Sequence, residues 1–206
     1  MQSGMPRLLR NQLKIFGRLR SAPRNSFRHS SVLEVAPGPG YFAIELAKLS
    51  ACQISGLDIS ETFVEIARAN AAKAGVRVEF RRGNASAMPF DSETFDFLLC
   101  RAAFKNFTEP LRALQEMYRV LKPGGQALII DLRRNASKQD LDQASNDMHL
   151  NAVNGVIVKL TFRFMLLKRA YTKSELEKMI AQTKFESVEI RENPIGLEVM
   201  LHKRSE

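Results

Sequence analysis

Residues 32–43 read Val-Leu-Glu-Val-Ala-Pro-Gly-Pro-Gly-Tyr-Phe-Ala: a buried strand running into a glycine-rich turn and then a helix. Glycines in such a turn let the backbone approach a ligand closely, and the free N–H groups of the helix favour a carboxylate or phosphate. Twenty residues after Gly38 comes Asp58, at the end of the next apolar run. A carboxylate there can accept both hydroxyls of a ribose, and such charge-assisted bonds contribute roughly 1.5–3 kcal/mol each. The two features together predict an adenosine-containing ligand at the C-terminal edge of a sheet.

Outward from this stretch, short apolar runs alternate with helical patterns. Strands are expected near 32–36, 53–58, 76–81, 95–100 and 126–131, with helices near 41–50, 60–74 and 109–121. That alternation predicts βαβ crossovers and a mostly parallel sheet with helices on both faces. Pro123-Gly124-Gly125 is expected to stop the third helix and turn the chain into the fifth strand. Beyond Asp131 the beat breaks, and residues 137–170 read as an irregular helical insertion. Thr172 with Glu175 is a capping box opening another helix. Segments 185–191 and 197–202, joined through Asn193-Pro194-Ile195-Gly196, predict an antiparallel pair.

The chain has 206 residues, 45% of them apolar and 26% charged, which suits one globular α/β domain and excludes wholesale disorder. No apolar run reaches the length of a membrane-spanning helix. Cys52 and Cys100 are too few for a disulfide framework, so a reducing, cytoplasmic setting is the expectation. The net charge of +9 is uneven: residues 1–31 hold seven bases and no acid, leaving 24 bases against 22 acids elsewhere. We therefore divide the chain into a basic arm (1–31) and a domain (32–206). Within the arm, Leu8, Leu9, Leu13, Ile15, Phe16 and Leu19 share one helical face at about 100° per residue. Arg7, Arg10, Lys14 and Arg18 share the other, with Arg20 the exception. Such a stretch can lie on an anionic membrane through residues 7–20, serve as an organelle transit peptide, or cover the site with its apolar side.

Gly38-Pro39-Gly40-Tyr41-Phe42-Ala43 also satisfies the loose dinucleotide pattern, a weak signal alone. Tyr118 and Lys122 give the Y-x-x-x-K spacing of short-chain dehydrogenases. Tyr118, however, falls on the apolar stripe of the third helix and Lys122 at its end, so we read the spacing as coincidence. No G-K-[ST] follows the glycines, which disfavours a nucleoside triphosphate.

Five blocks then carry a resemblance. They are Glu34 with the G-P-G turn, Gly56-Leu57-Asp58-Ile59-Ser60, Gly83 to Phe90, Phe95 to Cys100, and Arg119-Val120-Leu121-Lys122-Pro123-Gly124-Gly125. Over residues 32–131 the chain resembles class I S-adenosylmethionine-dependent methyltransferases, most closely the small-molecule enzymes similar to those of ubiquinone and menaquinone biosynthesis. The resemblance implies a Rossmann-like, seven-stranded sheet with one antiparallel strand. It implies that the loop from Ala36 through Gly38 to Gly40 receives the methionine end of S-adenosylmethionine, with Glu34 anchoring the loop. Asp58 would hold the ribose, and Ile59 would pack on the adenine. Asn84 and Ala85 would meet the adenine edge, and Cys100 and Arg101 would lie beside the reactive methyl.

Three departures stand out. The family usually has Gly at Ala36, where one methyl is tolerable if φ is negative. It often has Asp at Asn84, and Phe104-Lys105-Asn106-Phe107 falls where relatives often carry His-His. Lys105 and Arg101 are the candidate catalytic residues. Lys105 would bind an acceptor carboxylate or stabilise an enolate or phenolate; its alternative is a solvated lysine at a helix start. His149, Tyr171 and Asp131 are further candidates. The segment 137–170, with Phe162 and Phe164 to Leu167, would form an apolar substrate lid, so a small apolar or aromatic acceptor is expected. No metal is expected, since neither H-E-x-x-H nor paired Cys-x-x-Cys occurs. Two alternatives are an RNA-directed protein using the basic arm and a nicotinamide-dependent oxidoreductase.

Overall fold

The apolar runs form strands and the periodic segments form helices. In chain order they are β1 (Ser31–Val35), α1 (Tyr41–Leu49), β2 (Gln53–Asp58), α2 (Glu61–Lys73), β3 (Glu79–Arg82) and β4 (Phe95–Arg101). Then come α3 (Pro110–Val120), β5 (Leu121–Leu132), α4 (Lys138–Asn146), α5 (Lys173–Ile180), β6 (Ser187–Glu192) and β7 (Gly196–His202). These come from a computed structural model that describes residues 30–146 and 167–205. The basic arm and most of the expected lid, including His149, lie outside the described residues.

One sheet joins the strands in the order β3-β2-β1-β4-β5-β7-β6. The first five are parallel, and β7 runs antiparallel between β5 and β6. This is the seven-stranded Rossmann-like α/β arrangement. Alternation along each strand splits the core into two layers. Val32, Phe97 and Leu99 meet Phe42, Leu46, Val64 and Ala67 of α1 and α2 on one face. Leu33, Leu98, Ile129 and Leu201 meet Leu114, Met117, Leu176 and Ile180 of α3 and α5 on the other.

Local signals account for most boundaries. Ser60 caps α2, its hydroxyl accepting the Phe63 N–H at 3.3 Å. The capping box forms: Thr172 Oγ1 accepts from the Glu175 N–H at 3.3 Å, and Glu175 Oε2 from the Thr172 N–H at 2.9 Å. The Asn193 carboxamide oxygen closes the last hairpin, accepting from Gly196 N at 2.8 Å.

Two boundaries differ from expectation. α3 stops at Val120, and β5 already begins at Leu121, opposite Phe95, with a register shift before Gln126 pairs with Phe97. Lys122-Pro123-Gly124-Gly125 therefore lies inside β5 as an irregular lead-in, because Phe95 recruits Leu121 ahead of the glycines. β3 is Glu79–Arg82, since residues 76–78 remain outside the ladder with β2.

Candidate cofactor and acceptor site

β1, β2 and β4 end side by side, with Val35 opposite both Leu57 and Cys100. The turn after β1 is built from backbone. Ala36 donates its N–H to Leu57 O at 2.7 Å and adopts φ 55°. The negative φ that would make its methyl tolerable is thus not found. The left-handed region costs a non-glycine residue roughly 1–2 kcal/mol, and the bond to β2 holds Ala36 there. Gly38 follows at φ 54°, and a Cβ at this position would meet no protein atom within 4 Å. Gly40, at φ 77°, is confined instead: its Cβ would lie 2.7 Å from Phe80 Cζ and 2.9 Å from Ala67 Cβ. One glycine faces open space and the other lets α1 pack tightly against α2 and β3.

Two carboxylates secure this turn. Asp58 Oδ2 accepts from the Gly38 N–H at 3.0 Å, and Oδ1 from the Ser60 N–H at 2.9 Å. Glu34, 4% exposed, accepts from the Ala43 N–H of α1 at 3.0 Å. Burial pushes the Glu34 carboxyl up to about 7, against the pull of Arg101 and the Ala43 N–H, with the Asp58 charge adding to the rise. Arg101 lies with Nε 3.9 Å from Glu34 Oε1 and its guanidinium 4.6 Å above the Phe42 ring. Burial lowers the Arg101 pKa, opposed by Glu34. Composition gave no sign of the Phe42 contact, because a residue two positions into a helix reads only as core.

Ile59, directly after Asp58, is 67% exposed. Asn84 and Ala85 lie in the loop after β3, which is tied to β2 by the Gly83 N–H on Asp58 O at 2.9 Å. The Asn84 carboxamide oxygen accepts from the Ser86 N–H at 2.9 Å, so one of its two lone pairs is already in use. Cys100 departs from expectation. It is 1% exposed and packed within the core. Burial pushes its thiol well above the usual range. The alternation of β4 turns Cys100 to the α3 layer, so its side chain does not lie at the open edge; Arg101, the next residue, does.

Lys105 is not a solvated lysine. Its side chain is 3% exposed, and Nζ donates to Asp131 Oδ1 at 2.8 Å and to Ala102 O at 2.5 Å. Its backbone N–H donates to Asp131 Oδ2 at 2.9 Å. Phe104 precedes it in a one-turn helix (Phe104–Asn106) and packs against Tyr171, ring centroids 5.8 Å apart. Burial and the Glu175 carboxylate raise the Tyr171 phenol pKa. The structure thus gathers Asp131, Lys105 and Tyr171 beside the ends of β4 and β5, with the Lys105 ammonium already engaged.

Tyr118 and Lys122 belong elsewhere. Tyr118 stacks edge-on against Phe185 at 5.3 Å, and Lys122 pairs with Asp96 at 2.9 Å, near the start of β4 rather than its end. Among the described residues no group of three or more His, Cys, Asp or Glu side chains is placed to hold a metal ion. Nor is any described helix long and apolar enough to cross a membrane. The ribose-type carboxylate, the open glycine and the exposed isoleucine suit an adenosine ligand, and Glu34 beside them suits one that also carries positive charge.

A family model described as a methyltransferase domain matches residues 33–129. A demethylmenaquinone methyltransferase of Chlorobaculum tepidum is 34% identical over 139 residues, 66% of this chain and 56% of that protein. The ubiquinone/menaquinone biosynthesis C-methyltransferase UbiE of Haemophilus ducreyi is 28% identical over 183 residues, 84% of this chain and 70% of that one. A demethylmenaquinone methyltransferase of Deinococcus radiodurans is covered over 50% of its length, so the chain spans about half the length of several curated relatives it matches. In fold, a SAM-dependent methyltransferase from Aquifex aeolicus superposes with a TM-score of 0.67 at 19% identity, over 94% of this chain and 88% of that one. With a glycine turn, a strand-end carboxylate and a seven-stranded sheet in the same chain, residues 33–129 match a methyltransferase domain, and the chain is similar to demethylmenaquinone and UbiE-type methyltransferases.

Proposed function

We propose that the protein transfers a methyl group from S-adenosylmethionine to a small apolar or aromatic acceptor, with the quinone-type molecules named for its relatives as the first class to test. The observation that carries this reading is Asp58, whose carboxylate closes on the Gly38 N–H beside an open left-handed glycine. S-adenosylmethionine, when bound, supplies a methyl group already activated by a sulfonium charge.

The chain's own residues then bind and orient. Asp58 offers its remaining lone pairs to the ribose hydroxyls. Ile59 offers an apolar surface to the adenine, and Asn84 and Ala85 meet its edge. The loop from Ala36 to Gly40 receives the methionine end. Glu34 fixes α1 behind that loop and, when ionised, adds negative charge for an ammonium group. Arg101 stands at the acceptor side of the same edge. Holding two reactants in line lowers the barrier by roughly 7–11 kcal/mol, so no nucleophilic side chain is needed. Lys105, engaged with Asp131, acts on the acceptor side by holding the turn after β4.

We assign residues 137–170 to the acceptor lid and residues 1–31 to a separate basic arm. A cytoplasmic protein whose residues 7–20 meet an anionic membrane surface would reach an apolar acceptor there. The comparisons lend no support to the RNA alternative.

The test is labelled-methyl transfer from S-adenosylmethionine into a cell extract, with the labelled product identified. Calorimetry with S-adenosylhomocysteine and with NAD runs alongside. Label in a small apolar product and binding of S-adenosylhomocysteine alone are expected; label in RNA, or binding of NAD alone, overturns the proposal.

A further inference from the structure

The loop that follows β3 is held from an unexpected side. Met88 donates its N–H to Glu116 Oε2 of α3 at 2.7 Å. Arg119, one turn on, donates from Nη2 to Met88 O at 3.0 Å and from Nη1 to Phe90 O at 2.8 Å. The two side chains brace each other, Arg119 Nε on Glu116 Oε1 at 2.7 Å and Nη2 on Oε2 at 2.8 Å. Arg119 depresses the Glu116 carboxyl below its usual range. A third tie comes from Ser86, whose hydroxyl donates to Glu109 O at 3.1 Å and whose N–H reaches back to Asn84 Oδ1 at 2.9 Å.

An intrahelical pair three residues apart, as on any helix surface, would gain only a few tenths of a kcal/mol. Here the same pair satisfies three backbone groups of a neighbouring loop that has no ladder partner of its own beyond the Asn84–Ala87 bridge. Charge-assisted bonds are short and directional, so they fix backbone shape as well as adding energy. The loop they fix is the one that carries Asn84 and Ala85.

We propose that Glu116 and Arg119 are positioning residues that hold the loop at 84–90 in the shape by which the protein distinguishes adenine from other purines. The assignment rests on the reading of Asn84 and Ala85 as adenine contacts. A fork of planar donors is needed, because one lysine ammonium cannot meet Glu116 and two separated carbonyls in the same geometry.

The test compares S-adenosylhomocysteine with S-inosylhomocysteine, which replaces the adenine amino group by a carbonyl. Kd is measured by calorimetry for the wild type, Arg119→Lys and Glu116→Ala, and Tm is recorded for each. The wild type should prefer the adenine ligand. Each variant should bind S-adenosylhomocysteine up to about tenfold more weakly, the scale of one lost neutral hydrogen bond to the adenine, while binding of the inosine ligand changes little. The preference then shrinks, whatever happens to Tm. A preference that survives in both variants, even with a lowered Tm, makes the pair a structural brace and overturns the proposal. A wild type that binds both ligands alike overturns the adenine contacts and this assignment together. A wild type that binds neither overturns the proposed function itself. If Arg119→Lys fails to fold, Glu116→Ala reads the same ratio from a half-buried helix position.

Discussion

The turns that leave β1 and β4 begin alike and end differently. In each, an alanine just beyond the strand donates its N–H to a carbonyl of the next strand and swings into the left-handed region. Ala36 bonds Leu57 O at 2.7 Å with φ 55°, and Ala102 bonds Ile130 O at 2.7 Å with φ 54°. After Ala36 the chain continues through glycine, and the space before Gly38 stays open. After Ala102 the corresponding region is closed by the Lys105 ammonium and the Asp131 carboxylate. The difference teaches that one backbone device serves two purposes at a single sheet edge: a turn emptied of side chains leaves room for a ligand, whereas a turn filled by an ion pair becomes a wall.

That contrast can be broken most forcefully at the wall. Lys105→Ala leaves Asp131 buried without its cation and should destabilise the fold by about 3–5 kcal/mol, read from urea unfolding. Lys105→Met combined with Asp131→Leu should recover most of the loss; a single variant as stable as the wild type would mean the turn does not depend on the pair. Glu34, behind the open turn, gives the next largest effect. Its carboxyl, raised from 4.5 to about 7, makes the folded state prefer the protonated form. The sign is therefore opposite to that of an ordinary paired carboxylate. Between about pH 4.5 and 7 the folded chain holds a proton that the unfolded chain has lost, so stability falls as pH rises, by up to about 3 kcal/mol. Glu34→Gln should flatten that slope in denaturant titrations across this range, and an unchanged slope would assign it to other groups.

Smaller effects sharpen the comparison. Asp58→Ala should weaken S-adenosylhomocysteine binding at least about tenfold, because the ribose loses its acceptor and the Gly38 N–H its partner. Unchanged affinity would remove Asp58 from the ribose site. Ala36→Gly and Ala102→Gly each relieve a left-handed alanine, less the entropy a glycine loses on folding, and should raise stability by about 0.5–1 kcal/mol. Thermal melts that drop for either variant would show that the methyl packs usefully where it is.

The open turn was legible in the sequence because its determinants are local. Glycines, the carboxylate twenty residues on, and the strand–turn–helix order all lie within 32–60, and backbone conformations follow from residue type. The wall was not. Lys105 lies in the turn after β4 and Asp131 near the end of β5, and no periodicity brings them together; only the β4–β5 pairing does. The burial of the Cys100 side chain was hidden for a similar reason, since motif position placed it at an edge while strand alternation turned its thiol to the core. Arg119 and Glu116 were visible as an ordinary i,i+3 pair, with nothing local to show that their other hydrogen bonds cross to the loop after β3. The start of β5 was misplaced because Phe95 captures Leu121 before the glycines that looked like the boundary.

The position of β7 bears on how the molecule is made. It is the latest described strand in the chain, yet it lies between β5 and β6, with Gln126 opposite His202 and Ser187 opposite the same His202. During synthesis the five parallel strands can assemble while the chain is still emerging, but β5 keeps a bare edge and β6 has nothing to join. β7, emerging after its two neighbours, then slots into a waiting gap and zips both sides at once. Losing the strand from Gly196 to His202 would thus cost far more than its own seven residues, releasing a polypeptide with sticky strands for chaperones and proteases to clear.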